Sequence, residues 1–171
     1  MQETEIKLKK NLKPKEVKIH FIGHLQKNKA KKAVLLYDCI QTVDSIKLAQ
    51  KINIEAEKLN KKQDIFLQIN IGNKKEKHGF FTAEAISSAA EIESYNFLNI
   101  QGIMIIPPLT KDKKKYLNYF KEAKKIQLKI QSKVPQCKSI SMGMSGDYIE
   151  AIKEGATHIR IGTALFGERQ Q

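Results

Sequence analysis

The chain has 171 residues, 41% of them hydrophobic, and a formal net charge of +13, which suits one globular domain and excludes wholesale disorder. No run approaches the roughly 18 uncharged apolar residues of a membrane-spanning helix, and Met1-Gln-Glu-Thr-Glu-Ile-Lys7 has neither the basic nor the apolar region of a secretory signal, so a cytoplasmic location is expected. Of the 31 basic residues only Arg160 and Arg169 are arginine, and lysine clusters without arginines or interleaved aromatics read as solvated surface rather than a nucleic-acid interface.

Residues 3–12 read as the tail of a helix that Pro14 ends. Residues 17–22 alternate as Val-Lys-Ile-His-Phe-Ile, a strand closed by Gly23, and 26–34 is a short lysine-rich helix. The next strand is expected at 35–43, with Asp44-Ser45 in the N-cap position of a helix whose apolar face carries Ile46, Ala49, Ile52, Ala56 and Leu59. Residues 65–71 form an almost unbroken apolar run, as in a strand covered on both faces. After a charged loop at 72–79, Thr82 is expected to cap a helix containing Ala85, Ile86, Ala89 and Ile92. An apolar strand at 98–106 stops at Pro107-Pro108, and 113–132 reads as a long amphipathic helix. A strand at 139–142, a helix at 145–154 and a strand at 157–161 complete the series.

Six apolar strands joined by helical crossovers imply one α/β domain over 1–171 with a parallel sheet. Both a doubly wound sheet and a piece of a (β/α)₈ barrel fit this pattern. Six strands are two short of a closed barrel, and no helix is expected after the last strand, so the chain reads as a truncated barrel.

Two stretches offer chemistry. In Ser141-Met-Gly-Met-Ser-Gly-Asp147 and Arg160-Ile-Gly-Thr163 a strand end runs into a turn of small residues. Ser145 or Asp147 can cap the helix that follows, and Gly162 and Thr163 form a second turn open to an anion. Neighbouring turns of this kind after the last two strands are where a barrel holds phosphate. Alternation over 157–162 puts His158 and Arg160 on the face opposite Ile159 and Ile161, so Arg160 is expected inside, where its guanidinium needs an anion or a polar ring. His20 and His24 lack the internal glutamate of an HExxH zinc motif and read as part of a strand-end loop facing a ligand. Gly72 to Gly79 has no Lys-Ser/Thr after it and is not a P-loop. Cys39 and Cys137, far apart and outside any CxxC pair, read as buried thiols, and no metal site is expected.

Four blocks carry a family resemblance: His20-Phe-Ile-Gly-His-Leu-Gln-Lys-Asn-Lys29, Gly102-Ile-Met-Ile-Ile-Pro-Pro108, Ser141-Met-Gly-Met-Ser145, and Glu154-Gly-Ala-Thr-His-Ile-Arg-Ile-Gly-Thr-Ala-Leu-Phe-Gly-Glu-Arg169. In this order they resemble the YggS/PROSC family of pyridoxal 5'-phosphate homeostasis proteins. The resemblance implies a barrel of the alanine-racemase N-terminal type that holds the cofactor to store, deliver or buffer it, with no turnover of its own. It places Ser145, Gly162 and Thr163 on the phosphate and Arg160 against the pyridine nitrogen. In that family the lysine bonded to the cofactor lies on an early strand, upstream of the point matching Gln2, and none of the lysines here corresponds to it. The resemblance therefore implies weak, noncovalent binding. The alternatives are a racemase of the same barrel type, which needs a covalent lysine and a second acid/base residue, and a lysine-rich nucleic-acid binder. The oligomeric state is left open.

Overall fold

The computed structural model describes residues 17–110 and 112–167. The helix expected at 3–12 lies outside them. Among the described residues seven strands, all parallel, make one sheet: β1 (His20–Phe21), β2 (Cys39–Val43), β3 (Gln63–Asn70), β4 (Phe80–Phe81), β5 (Leu98–Ile105), β6 (Ser139–Met144) and β7 (His158–Arg160). The helices are α1 (Ala30–Leu36), preceded by a 3-10 turn at Lys27–Lys29, then α2 (Ile46–Lys58), α3 (Ala85–Glu93), α4 (Lys113–Gln131), α5 (Tyr148–Lys153) and α6 (Thr163–Phe166).

Strand order decides between the two topologies left open above. The sheet runs β1-β2-β3-β5-β6-β7, with β4 attached to β3. Each long strand is laid beside its predecessor and the order never reverses, as it must in a doubly wound sheet. Contacts between distant strands show that the sheet is rolled. The side chains of Gln41 on β2 and Ser141 on β6 are hydrogen-bonded at 2.7 Å, although β3 and β5 intervene, a span of roughly 14 Å in a flat sheet. The rings of His20 and His158, on the two outermost strands, have centroids 5.7 Å apart. The fold is a partial (β/α)₈ barrel.

Alternation along the strands separates two layers. Ile65, Leu67 and Ile69 of β3 and Ile103 and Ile105 of β5 join the main core between sheet and helices, whereas Phe66 and Met104 pack with Cys39 inside the barrel. In the helices the i, i+3, i+4 pattern supplies the other half of the core: Leu48, Ala49, Ile52 and Ala56 of α2, and Phe120, Ala123, Ile126 and Ile130 of α4. Ser45 caps α2 as expected, accepting a hydrogen bond from Leu48 N at 3.3 Å.

Several boundaries differ from the expectation. Residue 35 continues α1 instead of opening β2: the buried face of that helix is Ala30, Ala33 and Val34, while Leu35 is exposed. Tyr37 ends the helix in an extended conformation and packs edge-on against Phe21, with ring centroids 5.0 Å apart. Below it, Lys61 Nζ donates to the carbonyls of Val34 and Tyr37, both at 2.8 Å, covering the negative end of the α1 dipole. Thr82 does not cap α3, whose N-cap is Glu84. Its hydroxyl instead accepts from Asn73 Nδ2 at 3.0 Å, while its backbone N–H donates to Asn73 Oδ1 at 3.1 Å. A short helix, α6, follows β7 where none was expected. Ile159 was expected opposite the interior, and it is partly solvent-exposed.

Candidate functional site

All the strands point the same way, and the loops after β1, β3, β5 and β6, with Thr42 of β2, meet at one end of the barrel around a cavity of about 720 Å³. Its walls include Pro107 and Pro108 after β5, Met144 at the end of β6, and Gly146 and Asp147 after it.

The turn after β6 is shaped by Gly143, at φ +91°, where an added Cβ would lie 2.7 Å from Ala151 Cβ. A side chain there would be strained and would push α5 away. Asp147 then closes the turn on itself: Met144 N donates to Asp147 Oδ1 at 2.6 Å, and Asp147 N to Met144 O at 3.0 Å. Asp147 occupies the N-cap position of α5 but gives that helix no side-chain cap, because its carboxylate is turned to Met144. Ser145 does not cap α5 either. Its Oγ reaches across to the next loop and accepts from the backbone N–H groups of Gly162 (3.4 Å) and Ala164 (3.3 Å). Ser145 and the turn formed by Gly162 and Thr163 are thus brought together at the start of α6. Both bonds are long for N–H···O, and a Cβ built on Gly146 or Gly162 meets nothing within 4 Å. N–H donors, a hydroxyl and open space coincide here.

Arg160 lies in register with Met144 on β6 and points inward, as its alternation predicted. Nη1 donates to Ser141 Oγ and Nη2 to the carbonyl of Ile105, both at 2.8 Å. Among the described residues no carboxylate forms an ion pair with it, and burial pulls its pKa below the ordinary arginine value, with Asp147 opposing. Among the described residues this guanidinium is hydrogen-bonded to neutral acceptors.

Arg160 also heads a hydrogen-bond chain that the sequence did not reveal. Arginine has no acceptor, so it must donate to Ser141 Oγ. The serine then donates to Gln41 Oε1 at 2.7 Å, and the Gln41 amide nitrogen lies 2.8 Å from His20 Nδ1. The Gln41 amide nitrogen can only donate, so Nδ1 of His20 is the acceptor at the end of the chain. Burial, followed by the neighbouring His158, pulls the His20 pKa down, and burial alone does the same for His158. The only available signal was a polar residue at an inward position of each apolar strand, Gln41 in β2 and Ser141 in β6.

The two histidines of the HFIGH segment are separated by the fold. His20 joins this interior chain. His24 sits at the mouth, 3.5 Å from Asp44 Oδ2 and stacked on His78 with ring centroids 3.9 Å apart. Among the described residues no helix is long and apolar enough to cross a membrane.

A family model described as alanine racemase, N-terminal domain, matches residues 5–170. The chain belongs to that family. Among curated members, the pyridoxal phosphate homeostasis protein of Synechocystis sp. is 38% identical over 170 residues, spanning 99% of this chain and 78% of the relative. The protein of that name from Vibrio alginolyticus is 34% identical over 150 residues. That match spans 88% of this chain but only 64% of the relative's length. Among solved members, PipY of Synechococcus elongatus without PLP superposes with a TM-score of 0.90 at 33% identity, covering 97% of this chain and 78% of PipY. PipY with PLP bound gives 0.87 at 32% identity. An alanine racemase of Clostridium difficile, 18% identical with a TM-score of 0.80, shares the fold.

Proposed function

We propose that this chain binds pyridoxal 5'-phosphate at the mouth of its barrel and acts in the homeostasis of that cofactor, not as an enzyme that turns over with it. One observation carries the reading: Ser145 Oγ and the N–H groups of Gly162 and Ala164 converge beside open space, with the neutrally held Arg160 two residues before the turn. The names of the relatives and the PLP-bound form of PipY support it.

In this reading Ser145, Gly162 and Thr163 hold the phosphate. Backbone N–H groups at a turn favour an anion, and the serine hydroxyl, now bonded to two of them at long distances, can rotate to donate to a phosphate oxygen. Arg160 faces the pyridine nitrogen. A guanidinium donates but never accepts, so it stabilises the unprotonated ring nitrogen. The bound cofactor is an electron sink for amino-acid chemistry, and that capacity is weakest when the ring nitrogen stays unprotonated. Arg160 therefore favours carriage over carbanion chemistry. Ser141 and Ile105 O fix its orientation.

Equilibrium dialysis of the 171-residue chain against pyridoxal 5'-phosphate tests this, with pyridoxal as the control for aldehyde capture by surface lysines. A Ser145→Ala, Thr163→Val double variant should weaken binding of the phosphorylated form about tenfold, equivalent to about 1.4 kcal/mol, leave pyridoxal capture unchanged, and lose competition by inorganic phosphate. Binding that is indifferent to both the variant and inorganic phosphate overturns the assignment.

A further inference from the structure

Outside the phosphate turn and the interior chain, the mouth of the barrel gathers a third group of side chains. His24 follows β1, Asp44 follows β2, and His78 lies in the loop after β3. Nδ1 of His24 and Nδ1 of His78 each lie 3.5 Å from the same carboxylate oxygen, Asp44 Oδ2. One ligand atom from each residue falls within 4.8 Å of the others.

We propose that His24, Asp44 and His78 bind a divalent transition-metal ion of the zinc class. The distances support this. A nitrogen–oxygen separation of 3.5 Å is long for a charge-assisted hydrogen bond, about 2.7–2.9 Å, but close to the roughly 3.3 Å between two ligands that share a tetrahedral zinc at about 2.0–2.1 Å each. Three donor atoms thus gather within 4.8 Å of one another at separations too long for strong direct hydrogen bonds. Two imidazoles and one carboxylate form a borderline donor set that suits zinc, nickel or copper, whereas calcium and magnesium require more oxygens.

Each donor is also held in place by its own support. Ser45 Oγ donates to Asp44 Oδ1 at 3.3 Å, leaving Oδ2 for the ion. Thr42 Oγ1 donates to the carbonyl of Gly23 at 2.6 Å and so fixes the backbone beside His24. The buried Asn70 knits the loop of His78: Nδ2 donates to the carbonyls of Lys74 (2.7 Å) and Lys77 (3.2 Å), and Oδ1 accepts from Lys74 N at 3.1 Å. Gly79, at φ +119°, then lies so close that an added Cβ would be 2.7 Å from Asn70 N. Such outer supports set the precision of a metal site. The side chains of His24 and His78 are 46% and 59% exposed and that of Asp44 is 12% exposed, and both histidines line the cavity. The ion's remaining coordination positions therefore face the cavity, as in zinc sites that keep a place for water or substrate.

The proposal does not depend on the cofactor reading, and its test contains no cofactor. Zinc alone is titrated into the untagged 171-residue chain against a chromophoric chelator, and cobalt(II) is added separately for its visible spectrum. One zinc per chain in the micromolar range is expected, with His78→Gln and Asp44→Asn each weakening it at least tenfold and removing the cobalt bands. Because the His78 side chain is largely exposed, that variant should keep the parent's circular dichroism. A Cys137→Ala variant should bind zinc as the parent does. Absence of saturable zinc binding, binding undiminished in both ligand variants, or equal competition from magnesium overturns the site.

Discussion

Replacing Ser141 with alanine breaks the interior chain at its middle. The serine is fully buried; its oxygen accepts from Arg160 and its hydroxyl donates to Gln41. Alanine there leaves one guanidinium N–H and one amide oxygen without a partner, in a layer otherwise packed by Phe66, Met104 and Cys39. A buried polar group without a partner costs about 1–3 kcal/mol, and a charged one lies at the upper end. The sum is about 4–6 kcal/mol of unfolding free energy. With a urea slope of about 2 kcal/mol/M, the midpoint should fall by about 2–3 M at unchanged slope. A double-mutant cycle locates the cause. Gln41→Leu removes the amide that Ser141→Ala strands, so the two costs together should fall short of their sum by about 1 kcal/mol, within the range of neighbouring sites. A midpoint shift below about 0.3 M, or additivity within about 0.3 kcal/mol, refutes the chain as a coupled unit.

Two further outcomes follow from the titrating groups. The folded state holds His20 and His158 below the ordinary histidine pKa of 6.5, so the unfolded chain takes up more protons as pH falls. Stability should be at its full value above about pH 6.5 and decline below it towards the folded-state values. His158→Asn should flatten that decline in urea titrations at pH 5 and pH 7, and an unchanged slope would refute this origin. Burial pushes the thiols of Cys39 and Cys137 up to about 12, so neither should react with a disulfide reagent at pH 8 until urea unfolds the chain. A fast-reacting thiol in the native protein would contradict their placement.

The sequence resolved the long elements because burial imposes a period on them. Leu48, Ala49, Ile52 and Ala56 mark one helical face, and the run at 65–71 marks a strand covered on both sides. It was weakest where an apolar run crosses a boundary, as at Leu35, and where an element is too short to have a period, as in β4 and α6. The turns at Ser145 and Gly162 were legible because each is a strand end running into small residues. The group at His24, Asp44 and His78 was not, since its members sit on three loops and meet only when the sheet rolls. Gln41 and Ser141 were hidden for a related reason: a single polar residue in an apolar strand does not show what lies across the barrel.

Composition invites treating the lysines as one interchangeable coat of charge. Lys61 departs from that picture, because its ammonium group is committed to the carbonyls of Val34 and Tyr37. Two of its three protons are engaged there, and attack on an aldehyde requires the free amine. A carbonyl reagent, the cofactor's own aldehyde included, would therefore find Lys61 among the slowest lysines on a surface rich in fast ones. Acetylation at that one position would uncap α1, whereas the same modification on a solvated lysine would change little beyond net charge.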